Sequence, residues 1–149
     1  MNKSFKSIPE LNAYLQRQIN DTLLYDVSDV VRDEIESSAI DIVLGAGEPL
    51  YYQRRSSTNS LNSGGIADKS QMEAALIENG VLRVVDNAET SSPWDRRLDE
   101  ALEFGYGSMD KWYNFSRPFI QEAKDNLEET KAHKESLRDG LIKRGLNVV

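Results

Sequence analysis

The dipeptide Asn79-Gly80 constrains this chain more than any other pair of residues. It stands between two β-prone runs, Met72 to Ile77 and Val81 to Asp86. Asn-Gly between such runs is the strongest short-range hairpin signal, because both central residues of the favoured turn need positive φ. A two-residue turn sets Ile77 opposite Leu82 and Ala75 opposite Val84, four apolar residues on one face. The other face carries Ala74, Leu76, Val81 and Val85, with Arg83 as its clearly polar member. A ribbon apolar on both sides cannot leave one side in water without cost, and an isolated two-stranded sheet is marginal. Other strand candidates are few and weak: Met109–Phe115 and Leu146–Val149. Either helices of the same chain cover both faces, or a neighbouring subunit covers one or adds a strand. The second is expected here.

Helix signals flank the hairpin. Ser7-Ile8-Pro9-Glu10 is a capping box, and Ile8, Leu11, Leu15 and Ile19 follow at helical spacing for about three turns. Asn20 and Asp21 are expected to break this helix and cap a second. Leu24, Val27, Val31, Ile35 and Ile42 then mark one face of about six turns ending before Gly45, with Val30 and Ala39 beside it. Each buried Leu, Ile or Val on that stripe contributes about 1.5–3 kcal/mol. Farther on, Ser92 can cap a helix from Pro93 to Phe104 that ends at Gly105, followed by the aromatic connector Tyr106, Trp112, Tyr113 and Phe115. So dense an aromatic cluster reads as core or interface rather than a ligand cage. A last helix opens near Arg117-Pro118, presents Ile120, Ala123, Leu127 and Thr130, loses its stripe at Lys134 and resumes at Leu137 and Leu141. Its second half, about 131–149, is expected to project or fray.

Residues 45–70 lack apolar periodicity and are rich in Gly, Ser and Asn. A loop of about 25 residues inside a compact domain is uncommon and is usually functional or disordered. Tyr51, Tyr52, Arg54 and Arg55 sit near its start. They are either a loop foot with solvated arginines or a segment that orders only against a partner, where Tyr and Arg are favoured anchors. The whole is expected to be one α+β domain over 1–149: two N-terminal helices, a long loop, a β-hairpin or small antiparallel sheet packed on helices, and a long C-terminal helix.

Composition then closes several doors. The chain has no cysteine, hence no disulfide or thiolate site, and a formal charge of −7. That charge argues against a protein that grips nucleic acid by neutralising phosphates. No apolar run approaches the roughly 20 residues that cross a bilayer, and no signal peptide is expected. His133 is the one histidine, expected to be solvated, and no phosphate-binding or nucleophile-elbow motif occurs. Asp99, Glu100 and Glu103 are explained by the dipole of a capped helix. No enzyme, metal or cofactor is expected.

The order of parts resembles the tail-completion (head–tail joining) proteins of long-tailed bacteriophages, a neck and tail-terminator-like family. The resemblance is carried by the Tyr-Tyr-x-Arg-Arg loop, the Ser63-Gly64-Gly65-Ile66-Ala67-Asp68 step, the hairpin, Glu103-Phe104-Gly105 and Pro118-Phe119, and covers about residues 8 to 130. It implies a structural protein of the virion, made in the host cytoplasm, that assembles as a homo-oligomeric ring, typically a hexamer. The ring would join the connector or stopper to the tail tube and let DNA pass without sequence-specific binding. Neighbouring roles, as head-side stopper or adaptor or as tail-tube terminator, are alternatives, and a small acidic regulator of a host protein is one from another class. Under the ring reading, the candidate subunit contacts are Tyr51, Tyr52, Arg54, Arg55, Gly64, Gly65, Leu76, Val81, Arg83, Val85, Trp112 and Tyr113.

Overall fold

A computed structural model describes residues 4–45, 65–88 and 118–148 of the chain. Ser7 opens the first helix as its side chain dictates, its Oγ accepting the Glu10 N–H at 3.3 Å. The Glu10 carboxylate reaches one residue beyond the usual box and accepts the Lys6 N–H at 2.8 Å. The backbone then stays helical from Ile8 to Leu44: α1 (Ile8–Thr22), a π-helical segment (Leu23–Val27), α2 (Ser28–Ser38) and a second π-helical segment (Ala39–Leu44).

The break expected at Asn20-Asp21 is therefore absent, and the two N-terminal helices are one run. Asn20 fails to end the helix because its amide is engaged elsewhere. Its Oδ1 accepts the Gly80 N–H at 2.9 Å and its Nδ2 donates to Asn79 Oδ1 at 3.2 Å. A side chain satisfied across the fold does not compete for its own backbone. The widened π turns also shift the helix faces. Val43 is buried where Ile42 was expected, and Ile42 is half-buried.

The chain forms two compact units. The first comprises Met1–Val31, Ala74–Val84 and Lys131–Val149. In it α4 (Ala132–Lys143) packs on α1 and on the first π segment. Val27 and Leu141 are its buried apolar side chains among the described residues, joined by buried Thr22 and Ser28. The two hydroxyls donate to carbonyls one turn back, Thr22 Oγ1 to Gln18 O at 2.7 Å and Ser28 Oγ to Leu24 O at 2.5 Å. Gly140 fits because it has no side chain: a Cβ there would lie 2.5 Å from Thr22 Cγ2. Arg144 Nη1 meets Asp26 Oδ2 at 2.5 Å, and Lys143 stands 3.9 Å from the same carboxylate. α4 closes in a Schellman motif, Gly145 N–H to Ile142 O and Leu146 N–H to Leu141 O, with Gly145 at φ 84.

The second unit comprises Arg32–Glu73 and Val85–Thr130. Its core is mainly apolar: Ile35, Ala39, Val43, Ile66, Ala67, Met72, Ala88, Phe119 and Ala123 are buried, Phe119 completely, with Ser38, Asp68 and Asp86 buried as well. α3 (Phe119–Thr130) packs on the second π segment. The far end of the glycine- and serine-rich stretch is built into this unit. Ile66, Ala67 and Asp68 are buried, and a 3-10 turn over Lys69–Gln71 leads into the first strand.

α3 and α4 are separate helices, against the single long C-terminal helix expected. The intervening Lys131 sits in the left-handed region at φ 59, ψ 15, the sole non-glycine residue with positive φ among the described residues. For a residue bearing a Cβ that conformation costs about 1–2 kcal/mol. The helix beyond it is docked rather than projecting. His133, expected in water, is half-buried, and its Nδ1 is shielded with no hydrogen-bond partner among the described residues.

β1 (Met72–Glu78) and β2 (Val81–Asp86) form the antiparallel two-stranded sheet. Positive φ at the turn is confined to Gly80, at 81°. The turn is thus not the expected type with both residues left-handed; glycine alone takes the left-handed place, as in a type II turn. Asn20 supplies the hydrogen bonds that hold it. The fold is mixed α+β and mostly helical.

Candidate interaction surface

The hairpin is fixed at its tip and open along its length. Asn20 receives a second donor, Gln16 Nε2 at 3.2 Å, so its carbonyl oxygen is shared between the helix and the Gly80 N–H. Two amides on one helix face therefore locate the turn. Beyond that contact the strands are half sheltered. In β1, Ala74 and Leu76 are half-buried while Ala75 and Ile77 are exposed. In β2, Leu82 and Val84 are half-buried while Val81 and Arg83 are exposed.

With a two-residue turn, Leu76 pairs with Arg83 and Ile77 with Leu82. Between Ala75 and Val84 the sheltered residues of the two strands thus lie on opposite faces, so the turn end of the hairpin is covered across both strands on neither face, while Ala74 and its opposite Val85 are both half-buried. Ile77 remains 57% exposed and Val81 40%. The first unit also exposes Ile8, Tyr25 and Ile142, so every large exposed apolar side chain among the described residues belongs to it.

Of the residues singled out from sequence, Leu76, Val81 and Arg83 come together on one face of the ribbon in the first unit. Val85, half-buried, and Gly65, half-buried in a bend with nothing within 4 Å of a would-be Cβ, belong to the second unit. Tyr51, Tyr52, Arg54, Arg55, Gly64, Trp112 and Tyr113 lie outside the described residues, as do the helix expected over Pro93–Phe104 and its carboxylates. Asn20 was missed as a positioning residue. Nothing in a run of helical spacing distinguishes an asparagine that breaks a helix from one that reaches a turn 60 residues away.

Several polar side chains of the described residues hold backbone groups and one another. Asp68 and Asp86, both buried, each accept the backbone N–H two residues ahead, from Ser70 at 2.9 Å and from Ala88 at 2.8 Å. Arg32 Nε donates to the Met72 carbonyl at 3.1 Å and Asn126 Nδ2 to Glu34 Oε1 at 2.9 Å. Lys69 pairs with Asp33 and, at 3.1 Å, with Glu36. Its ammonium is raised above the usual 10.5 first by the Asp33 hydrogen bond and then by that of Glu36, against an opposing effect of burial. Among the described residues no group of three His, Cys, Asp or Glu is arranged to hold a metal, and no helix is long and apolar enough to cross a membrane.

Fold and surface define a mostly helical α+β protein whose hairpin is pinned to a helix by side-chain amides and left half open. The chain belongs to the YomN family, whose profile matches residues 7–143, and that family is associated with phages of the Bacillus phage SPBc2 type. Comparison with curated proteins and with solved structures gives no match.

Proposed function

We propose that this chain is a structural, non-enzymatic component of a phage particle that assembles as a ring, a hexamer in the simplest case, at the junction of head and tail. In that place it would contact the connector or stopper on one side and the tail tube on the other, and DNA would pass through it. The observation that carries the reading is the hairpin: a two-stranded sheet whose turn end is covered across both strands on neither face, with Ile77 and Val81 exposed there. A ring is built from heterologous contacts, in which each copy offers two different complementary surfaces. A typical interface buries about 800 Å² per partner, and a neighbouring copy on the hairpin would remove the exposed apolar surface from water. The phage association of the family supports the setting, and the net charge of −7 suits a conduit that must not retain DNA.

The test is to purify particles and measure whether the protein is present and at how many copies. A fixed number per virion compatible with a ring is expected, carried by capsid-less tails if the position is tail-side and by filled heads if it is a stopper. Absence from particles, with a defined low-order complex on a host protein instead, would sink the proposal in favour of a regulator.

A further inference from the structure

We propose that Asn79-Gly80 is a slow self-modification site, where the turn closes an imide ring on itself, and that Asn20 is the latch that holds this reaction back. The Gly80 backbone nitrogen attacks the side-chain amide carbon of Asn79. A bond forms between Gly80 N and Asn79 Cγ, the Cγ–Nδ2 bond breaks, and ammonia leaves with the proton that Gly80 N gives up. Water then opens the imide at either carbonyl, leaving aspartate or isoaspartate at position 79. Water is the co-reactant, and nothing is oxidised or reduced. The attack is intramolecular, so its reactants are already joined. Glycine at 80 presents no Cβ to obstruct it, and Asn79-Gly80 is the one Asn-Gly step in the chain. The turn itself demands that glycine, which sits at φ 81.

Asn20 holds both reacting groups. The Gly80 N–H, which must lose its proton before the nitrogen can attack, donates to Asn20 Oδ1 at 2.9 Å. Asn79 Oδ1, on the carbon under attack, accepts from Asn20 Nδ2 at 3.2 Å. Gln16 Nε2 also donates to Asn20 Oδ1, at 3.2 Å, so two donors fix which end of that amide faces which atom. Gln16, Asn20, Asn79 and Gly80 all belong to the first unit. Nucleophile and electrophile are thus tied to opposite ends of one amide, and ring closure breaks both ties. The same hydrogen bonds polarise the reacting groups toward attack, but a neutral amide oxygen is too weak a base to take the Gly80 proton. Two hydrogen bonds of ordinary net strength, lost together, slow the step about tenfold. Asn79 and Gly80 are exposed, so water reaches the turn. Isoaspartate there adds a methylene to the main-chain path and a carboxylate beside Glu78, which takes the Gly80 N–H out of register with Asn20. The hairpin tip, with Ile77 and Val81 exposed on it, then comes free of the helix. The inference holds whether or not the chain belongs to a particle.

The full-length chain is kept in warm, mildly alkaline buffer, folded and in guanidinium chloride. Position 79 is followed by peptide mass spectrometry, with the aspartate and isoaspartate products separated. The unfolded chain should convert at 79 to a mixture of both. Folded wild type should convert about tenfold more slowly, with its Gly80 N–H protected from hydrogen exchange. Asn20→Ala, shown to be folded by the protection of its α1 amides, should convert about tenfold faster than wild type. If Asn20→Ala does not fold, wild type decides alone. Conversion as fast folded as unfolded, or a Gly80 N–H that exchanges at the unfolded rate, overturns the proposal. So does a folded Asn20→Ala that converts as slowly as wild type, or an unfolded chain that yields no isoaspartate at 79.

Discussion

The two units of this molecule are held together by different means. The second buries nine apolar side chains, Phe119, Met72, Ile35 and Ile66 the largest, together with Ser38, Asp68 and Asp86, and exposes no large hydrophobic residue among those described. The first buries Val27 and Leu141 alongside two hydroxyl residues, and fixes α4 and the hairpin by Asp26–Arg144 and by the Asn20 amide. An apolar core gives stability that grows with area and tolerates little loss of volume. Polar attachments give position more than stability, since each is worth roughly 0.5–3 kcal/mol net. The second unit thus depends chiefly on buried apolar volume, and the first on a few polar attachments around a small buried set.

The largest expected effect tests the buried apolar volume. Phe119→Ala removes a wholly buried ring and should cost about 3–5 kcal/mol in urea unfolding. A loss below about 1 kcal/mol would mean the apolar cluster is not what stabilises the second unit. Next comes Gly140→Ala. On an exposed helix that change stabilises by about 1 kcal/mol; against Thr22 it should destabilise by about 1–3 kcal/mol. Thr22→Ser, which deletes the obstructing methyl and keeps the hydroxyl, should recover most of the loss.

A smaller effect tests the attachment itself. Asp26→Ala should cost about 1–2 kcal/mol, because Asp26 and Arg144 are both mostly sheltered and share a charge-assisted hydrogen bond. A double-mutant cycle with Arg144→Ala should return most of that as coupling; near-zero coupling would reduce the pair to a surface contact. The smallest effect lies in the second unit. Lys69 has its pKa raised by Asp33 and Glu36, so its contribution is complete below the unfolded value of 10.5 and lost as pH climbs through the folded value. The pair is exposed, so the gain is under about 1 kcal/mol and should shrink with salt. Lys69→Met should flatten the alkaline limb of the stability profile and leave the acid limb unchanged.

Local signals were legible where local physics decides. The Ser7 cap, the helix periodicity through Ile35, the Asn79-Gly80 turn and Pro118 just ahead of α3 all appear where side-chain chemistry places them. Three features were hidden because a distant partner decides them. Asn20 continues its helix since Gly80 and Asn79 take its hydrogen bonds. Lys131 turns left-handed in a run that propensity would keep helical, and α4 packs on α1. His133 is sheltered although its neighbours in sequence are charged. The hairpin itself could be read from composition, but its half-open state could not, since alternation alone does not reveal which strand shelters which face.

The amide of Asn20 links the evolutionary fates of two stretches of chain. With the turn relying on a carbonyl from the helix, a lineage that replaced position 20 by an aliphatic residue would need a self-sufficient connection at 79–80, such as one with both residues left-handed. Sequences of relatives should therefore show positions 20, 79 and 80 drifting as a set, while Ile77 and Val81 a few residues away change to their own rhythm.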